Sequence, residues 1–126
     1  MSDRPIAAKL RLKPGRLLLV QAPAGYAERL QPLPEGLSLV TESAGPVQAI
    51  QLFVADRAAL EKELPRLKPL LAPGGMLWVC YHKGTSRVAT DINRDSIWAY
   101  ARSIGMDAVA QVAIDDDWSA MRLKVA

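Results

Sequence analysis

The sequence predicts a single α/β domain on a mostly parallel sheet, and three observations carry that reading. Short apolar runs at residues 16–21, 37–40, 47–54 and 76–82 recur along the chain between Gly- and Pro-rich breaks, as buried strands do. Segments with helical spacing lie among them, which requires crossover connections and parallel pairing. The chain then closes on two runs, 108–114 and 119–125, flanking Asp115-Asp116-Asp117-Trp118. The second alternates with period two and reads as one arm of a hairpin, adding one antiparallel strand.

In chain order, Lys13-Pro14-Gly15 introduces the first strand and Ala22-Pro23-Ala24-Gly25 punctuates its end. A short helix over 26–30 precedes the proline-rich 31–36 and the second strand. The third strand follows Gly45-Pro46. Asp56 then stands as a helix cap, with Ala59, Leu60, Leu64, Leu67 and Leu71 on one face. Pro65 inside this stretch removes a backbone donor and crowds the preceding turn, predicting a kink or two short helices. Pro73-Gly74-Gly75 reads as a sharp turn into the fourth strand, apolar throughout and so covered on both faces. After the polar 83–89 loop, Asn93 reads as a cap with Asp95 in the first turn, Ile97, Ala101 and Ile104 form the buried face, and Gly105 ends the helix.

With 126 residues, 50% of them hydrophobic and 23% charged, the chain can bury a core without disulfides. The lone Cys80 lies in an apolar run and reads as a small core residue. No apolar run approaches membrane-span length and no cleavable leader is visible, so a cytoplasmic location is expected. The net charge of +3 is uneven: Arg4, Lys9, Arg11, Lys13 and Arg16 face only Asp3 near the start. Residues 1–12 are therefore expected as a basic arm and 13–126 as the domain. Cations without interleaved aromatics read as a solvated terminus, and a nucleic-acid accessory role through this arm is the lesser alternative.

Residues 47–79 resemble the second half of a class I methyltransferase, on the strand, the helix and the turn Leu70-Leu71-Ala72-Pro73-Gly74-Gly75-Met76-Leu77-Trp78. The resemblance implies a shortened six-stranded Rossmann-like sheet of order 2-1-3-4-6-5 with a C-terminal hairpin. Over most of the chain the sequence is also similar to a bacterial family of small methyltransferase-like domains of unknown function. That similarity rests on Lys13-Pro14-Gly15 through Tyr26, on Lys83-Gly84-Thr85-Ser86 through Thr90-Asp91-Ile92-Asn93-Arg94-Asp95, and on Ile114-Asp115 with Trp118-Ser119. It implies the fold and no activity.

A class I methyltransferase holds S-adenosylmethionine against a glycine-rich turn after its first strand. Here that turn is Gln21-Ala22-Pro23-Ala24-Gly25: one glycine remains, Pro23 has no amide to donate, and Gln21 stands where an acid is usual. Glu42, after the second strand, is the candidate ribose-gripping acid. The turn therefore reads as degraded and no cofactor is expected. Ligands of open α/β sheets gather at the carboxyl ends of the strands, here the loops beginning at Gln21, Thr41, Ala55 and Lys83, plus the Asp115–Trp118 turn. Lys83, Thr85, Ser86, Arg87 and Arg94 bring cations and hydroxyls toward a helix start, a candidate anion site that also takes in Asp115 and Trp118, the latter over the ligand. The reading favoured over it is a hydrogen-bonded connector that caps that helix with Asp115 as an ion-pair partner. His82 has no second ligand at metal spacing, the adjacent aspartates read as a turn, and no metal or catalytic residue is assigned. The expected function is a non-catalytic binding or interaction module taking a small anionic ligand or a protein partner. The alternative is an S-adenosylmethionine-dependent methyltransferase or other small-ligand enzyme on the same edge.

Overall fold

The computed structural model describes residues 6–31, 33–41, 45–83, 91–115 and 117–125. Its sheet is six-stranded, in the order β2-β1-β3-β4-β6-β5. The strands are β1 Gly15–Val20, β2 Leu37–Val40, β3 Val47–Phe53, β4 Leu71–His82, β5 Met106–Ala113 and β6 Trp118–Val125. β1 to β4 pair in parallel, β6 runs antiparallel to both β4 and β5, and the hairpin closes the sheet as expected.

Helices cover both faces. On one, Leu60, Leu64 and Leu67 of α3 (Arg57–Leu67) and Ile97 and Ala101 of α4 (Arg94–Ser103) pack on Ile50, Leu52, Leu77, Val79 and Tyr81. On the other, α1 (Ile6–Lys9) and α2 (Tyr26–Arg29) cover Leu17, Leu19, Phe53, Trp78 and Cys80. Ile6, Ala7, Leu10 and Leu12 are all buried there, so residues 6–12 of the segment expected as a basic arm fold onto the core, with Arg11 exposed and Lys9 half-buried, its ammonium donating to the Ile114 carbonyl at 3.4 Å. Ile6, Ala7 and Leu10 fall on one helical face, which the run of charges obscures.

Two local expectations are corrected. Pro65 does not divide α3, which runs through it as one helix and tightens into a short 3-10 turn, Lys68–Leu70, three residues later. The carbonyl that Pro65 leaves without its helical donor is that of Glu61, and it accepts a hydrogen bond from the Tyr100 hydroxyl of α4 at 3.3 Å. Pro73-Gly74-Gly75 is a bulge inside β4 rather than a turn before it. β3 advances two residues, from Val47 to Ala49, while β4 advances five, from Leu71 to Met76. Gly74 takes φ 75, and a Cβ on Gly75 would lie 2.8 Å from the Gln48 carbonyl oxygen, so both positions need glycine.

Candidate functional site

At the carboxyl edge, β1, β2, β3 and β4 end at Val20, Val40, Phe53 and His82. β6 begins there, because Trp118 pairs antiparallel with His82. The pleat divides the anticipated anion-site residues between the two faces. Neighbours along a strand point oppositely, so Tyr81 and its partner Ser119 share one face while His82 and Trp118 share the other.

On the α4 face, Tyr81, Lys83, Asn93, Arg94, Asp95, Gln111 and Ser119 line an open groove of about 460 Å³. Arg94, Asp95 and Gln111 also line a neighbouring hollow of about 300 Å³ whose other walls are Trp98, Ala108, Ala110 and Met121. Together they make one amphipathic groove along α4 and β5. The Tyr81 hydroxyl accepts from Gln111 Nε2 at 2.8 Å and engages the Ser119 side chain. Burial pushes the Tyr81 phenol above its ordinary value, with Arg94 pulling the other way. Arg94 Nε meets Asp95 Oδ1 at 3.3 Å, but both side chains are exposed and such a pair is worth about 0–1 kcal/mol, leaving Arg94 open to a ligand. Trp98 is 45% exposed, an uncommon setting for so large an apolar side chain, and Arg102 lies over its ring at 5.8 Å.

The start of α4 offers fewer free amides than a bare helix end would, because its cap occupies those of Asn93 and Ser96. Asn93 Oδ1 accepts from the Ser96 amide at 2.9 Å, and the Asn93 amide donates to Ser96 Oγ at 2.8 Å. This reciprocal cap uses two of the first amides, and the cations add to whatever attraction the helix start keeps for an anion. Thr85, Ser86 and Arg87 lie outside the described residues.

On the opposite face, Trp118 is packing rather than a cover over Lys83 and Arg94. It stacks on His82 with centroids 4.0 Å apart and meets Phe53 edge-on at 5.0 Å, and Phe53 in turn meets Tyr26 at 4.6 Å. Asp115 pairs with Arg29 of α2 at 2.9 Å, not with Arg94. Its other oxygen accepts from the Asp117 and Trp118 amides, each at 2.8 Å. Burial opposes ionisation of Asp115, but those two amides and Arg29 outweigh it and hold the carboxyl below its ordinary value. Beneath, the buried Gln51 donates to the Tyr26 hydroxyl and, at 3.4 Å, to Cys80 Sγ. Burial raises the Cys80 thiol to about 12 and also raises the Tyr26 phenol. Sequence reasoning missed Gln51, although it is one of two polar residues in the strand, and missed Tyr81, Gln111, Ser119 and Trp98 as groove walls.

The turn after β1 keeps Gly25 at φ 82 and holds Gln21 at φ 58. The Tyr26 amide donates to the Pro23 carbonyl at 3.0 Å and the Arg29 amide to that of Gly25 at 3.3 Å. Glu42 lies outside the described residues. Among the described residues no group of three or more His, Cys, Asp or Glu could hold a metal, and no helix is long and apolar enough to cross a membrane.

No family model and no curated protein matches the sequence. Solved structures do match the fold. A ribosomal protein L11 methylase from Lactobacillus delbrueckii subsp. bulgaricus superposes with a TM-score of 0.64 at 10% identity, covering 95% of this chain and 74% of that one. The fold is that of the class I methyltransferases. The glycopeptide N-methyltransferase MtfA, solved with (S)-adenosyl-L-methionine, gives 0.61 at 10% identity over 93% of this chain and 84% of its own. A putative methyltransferase from Pseudomonas syringae gives 0.54 at 15% identity, covering 94% of each chain. At these identities the likeness concerns the methyltransferase fold alone.

Proposed function

We propose that this chain is a small-ligand protein of the methyltransferase fold working from its carboxyl edge, and that its ligand carries an anionic group beside an apolar, flat part. The observation that carries the reading is the amphipathic groove, with Lys83 and Arg94 at its polar end and the exposed Trp98 at the other. Such a concave site, apolar with a few convergent polar groups, is what small-molecule recognition requires. Trp98 thereby takes the aromatic role first read onto Trp118.

A second reading, methyl transfer from S-adenosylmethionine, is favoured by fold neighbours such as MtfA, which binds that cofactor. The turn after β1 fits it poorly. Pro23 brings no amide, and the amides of Tyr26 and Arg29 are spent inside the turn and α2. One calorimetric series separates the two. Under the groove reading, S-adenosylmethionine shows no affinity better than about 50 μM. Arg94→Ala weakens the groove's ligand by about tenfold to a hundredfold, as the loss of one charge-assisted contact should. Tight binding of S-adenosylmethionine that survives Arg94→Ala gives the site to the β1 turn instead.

A further inference from the structure

The amino edge of the sheet carries a second hollow, unrelated to the carboxyl-edge groove. Because β4 bulges out of the ladder at Pro73-Gly74-Gly75 while β6 runs on to Val125, the two strands part there. A cavity of about 480 Å³ results, lined by the bulge, Leu71, Ala72 and Met76 on one side and Arg122 to Val125 on the other, with Lys13 closing it from the loop before β1. A smaller hollow of about 150 Å³ beside Gln48 continues it past Lys13.

Its charge is one-sided. Lys13, Arg122 and Lys124 all line the cavity, and among the described residues no carboxylate does. None of the three makes an ion pair among the described residues. Asp107 is the cross-strand partner of Lys124 and the one acid in register with it, yet it makes no ion pair either. Arg122 is half-buried. A guanidinium withdrawn from water normally finds a carboxylate or phosphate, since its five donors must be satisfied. The glycines hold the cavity open: the Cβ side of Gly74 has no atom within 4 Å, while Gly75 is pressed on the Gln48 backbone. Three cations from two separated chain segments surround a ligand-sized hollow with no acid among its described lining residues, the arrangement a phosphate group requires.

We propose that this amino-edge cavity binds a small phosphorylated molecule through Lys13, Arg122 and Lys124. The test is calorimetry on the full chain with inorganic pyrophosphate, which has no flat apolar part for the carboxyl-edge groove, alongside a single-stranded oligonucleotide. Saturable binding of pyrophosphate with a Kd below about 1 mM is expected. Arg122→Gln and Lys124→Gln should each weaken it by about tenfold, with unchanged melting temperature, whereas Arg94→Ala should leave it intact. The proposal is overturned by the absence of saturable binding, by binding lost in Arg94→Ala but kept in Arg122→Gln, or by retention of the oligonucleotide alone.

Discussion

Asp115 gives the sharpest stability prediction, because one carboxylate fastens the β5–β6 turn to itself and to α2. Oδ1 accepts two amides at 2.8 Å and Oδ2 meets Arg29 at 2.9 Å. The two amide bonds resemble a helix N-cap, where replacing the acceptor by alanine costs about 0.5–2 kcal/mol. The ion pair adds less, since the Arg29 side chain is 48% exposed and exposed pairs contribute about 0.2–1 kcal/mol. Asp115→Ala should therefore destabilise the fold by about 1–2 kcal/mol and lower Tm by about 3–10 °C, while Arg29→Ala should cost less than half of that. The carboxyl is depressed in the folded state. Its contribution is thus complete above the ordinary aspartate range and fades as pH falls through the lower folded value. Urea titration of wild type and both variants, at neutral pH and again in acid, checks the account. Arg29→Ala costing as much as Asp115→Ala, or a wild-type advantage that grows in acid, would refute it.

The remaining predictions concern the β4 bulge and the buried thiol. Gly75→Ala should cost about 1–3 kcal/mol, since the new Cβ would sit 2.8 Å from the Gln48 carbonyl oxygen with backbone on both sides. Gly74→Ala has space around its Cβ but sits at φ 75 and should cost about 1–2 kcal/mol, so chemical denaturation of both variants separates steric from conformational cost. Cys80, with its thiol raised to about 12 by burial, should resist a thiol reagent in the native protein and react on unfolding. Fast native-state labelling would contradict that packing.

Much of the fold was legible because the decisive signals are local. The alternation of β6 and the punctuation around each apolar run placed the strands, and Asn93 announced α4 three residues before the Ser96 amide it caps. Features that depend on a distant partner were not legible. Pro65 looked like a break because the donor for the Glu61 carbonyl comes from Tyr100, on another helix. Pro73-Gly74-Gly75 looked like a turn because a bulge is defined only against its neighbour, β3. Lys83 and Arg94, which line the carboxyl-edge groove, could be brought together from their places at the ends of elements. Trp118 was assigned to the wrong face of the sheet because its neighbour Ser119, not Trp118, shares the side of Tyr81. The walls supplied by Gln111 and Trp98 come from β5 and the outer face of α4, which nothing local ties to the Lys83 loop.

The most direct measurement is amide chemical-shift mapping by NMR while a panel of small aromatic carboxylates and phosphates is titrated into the full chain. At least one should bind with a Kd below about 1 mM, shifting Lys83, Arg94, Gln111, Ser119 and the indole of Trp98 together, with the response lost in Arg94→Ala. Saturable shifts confined to the Gln21–Gly25 turn, or none at the groove with any member, would contradict the proposed function.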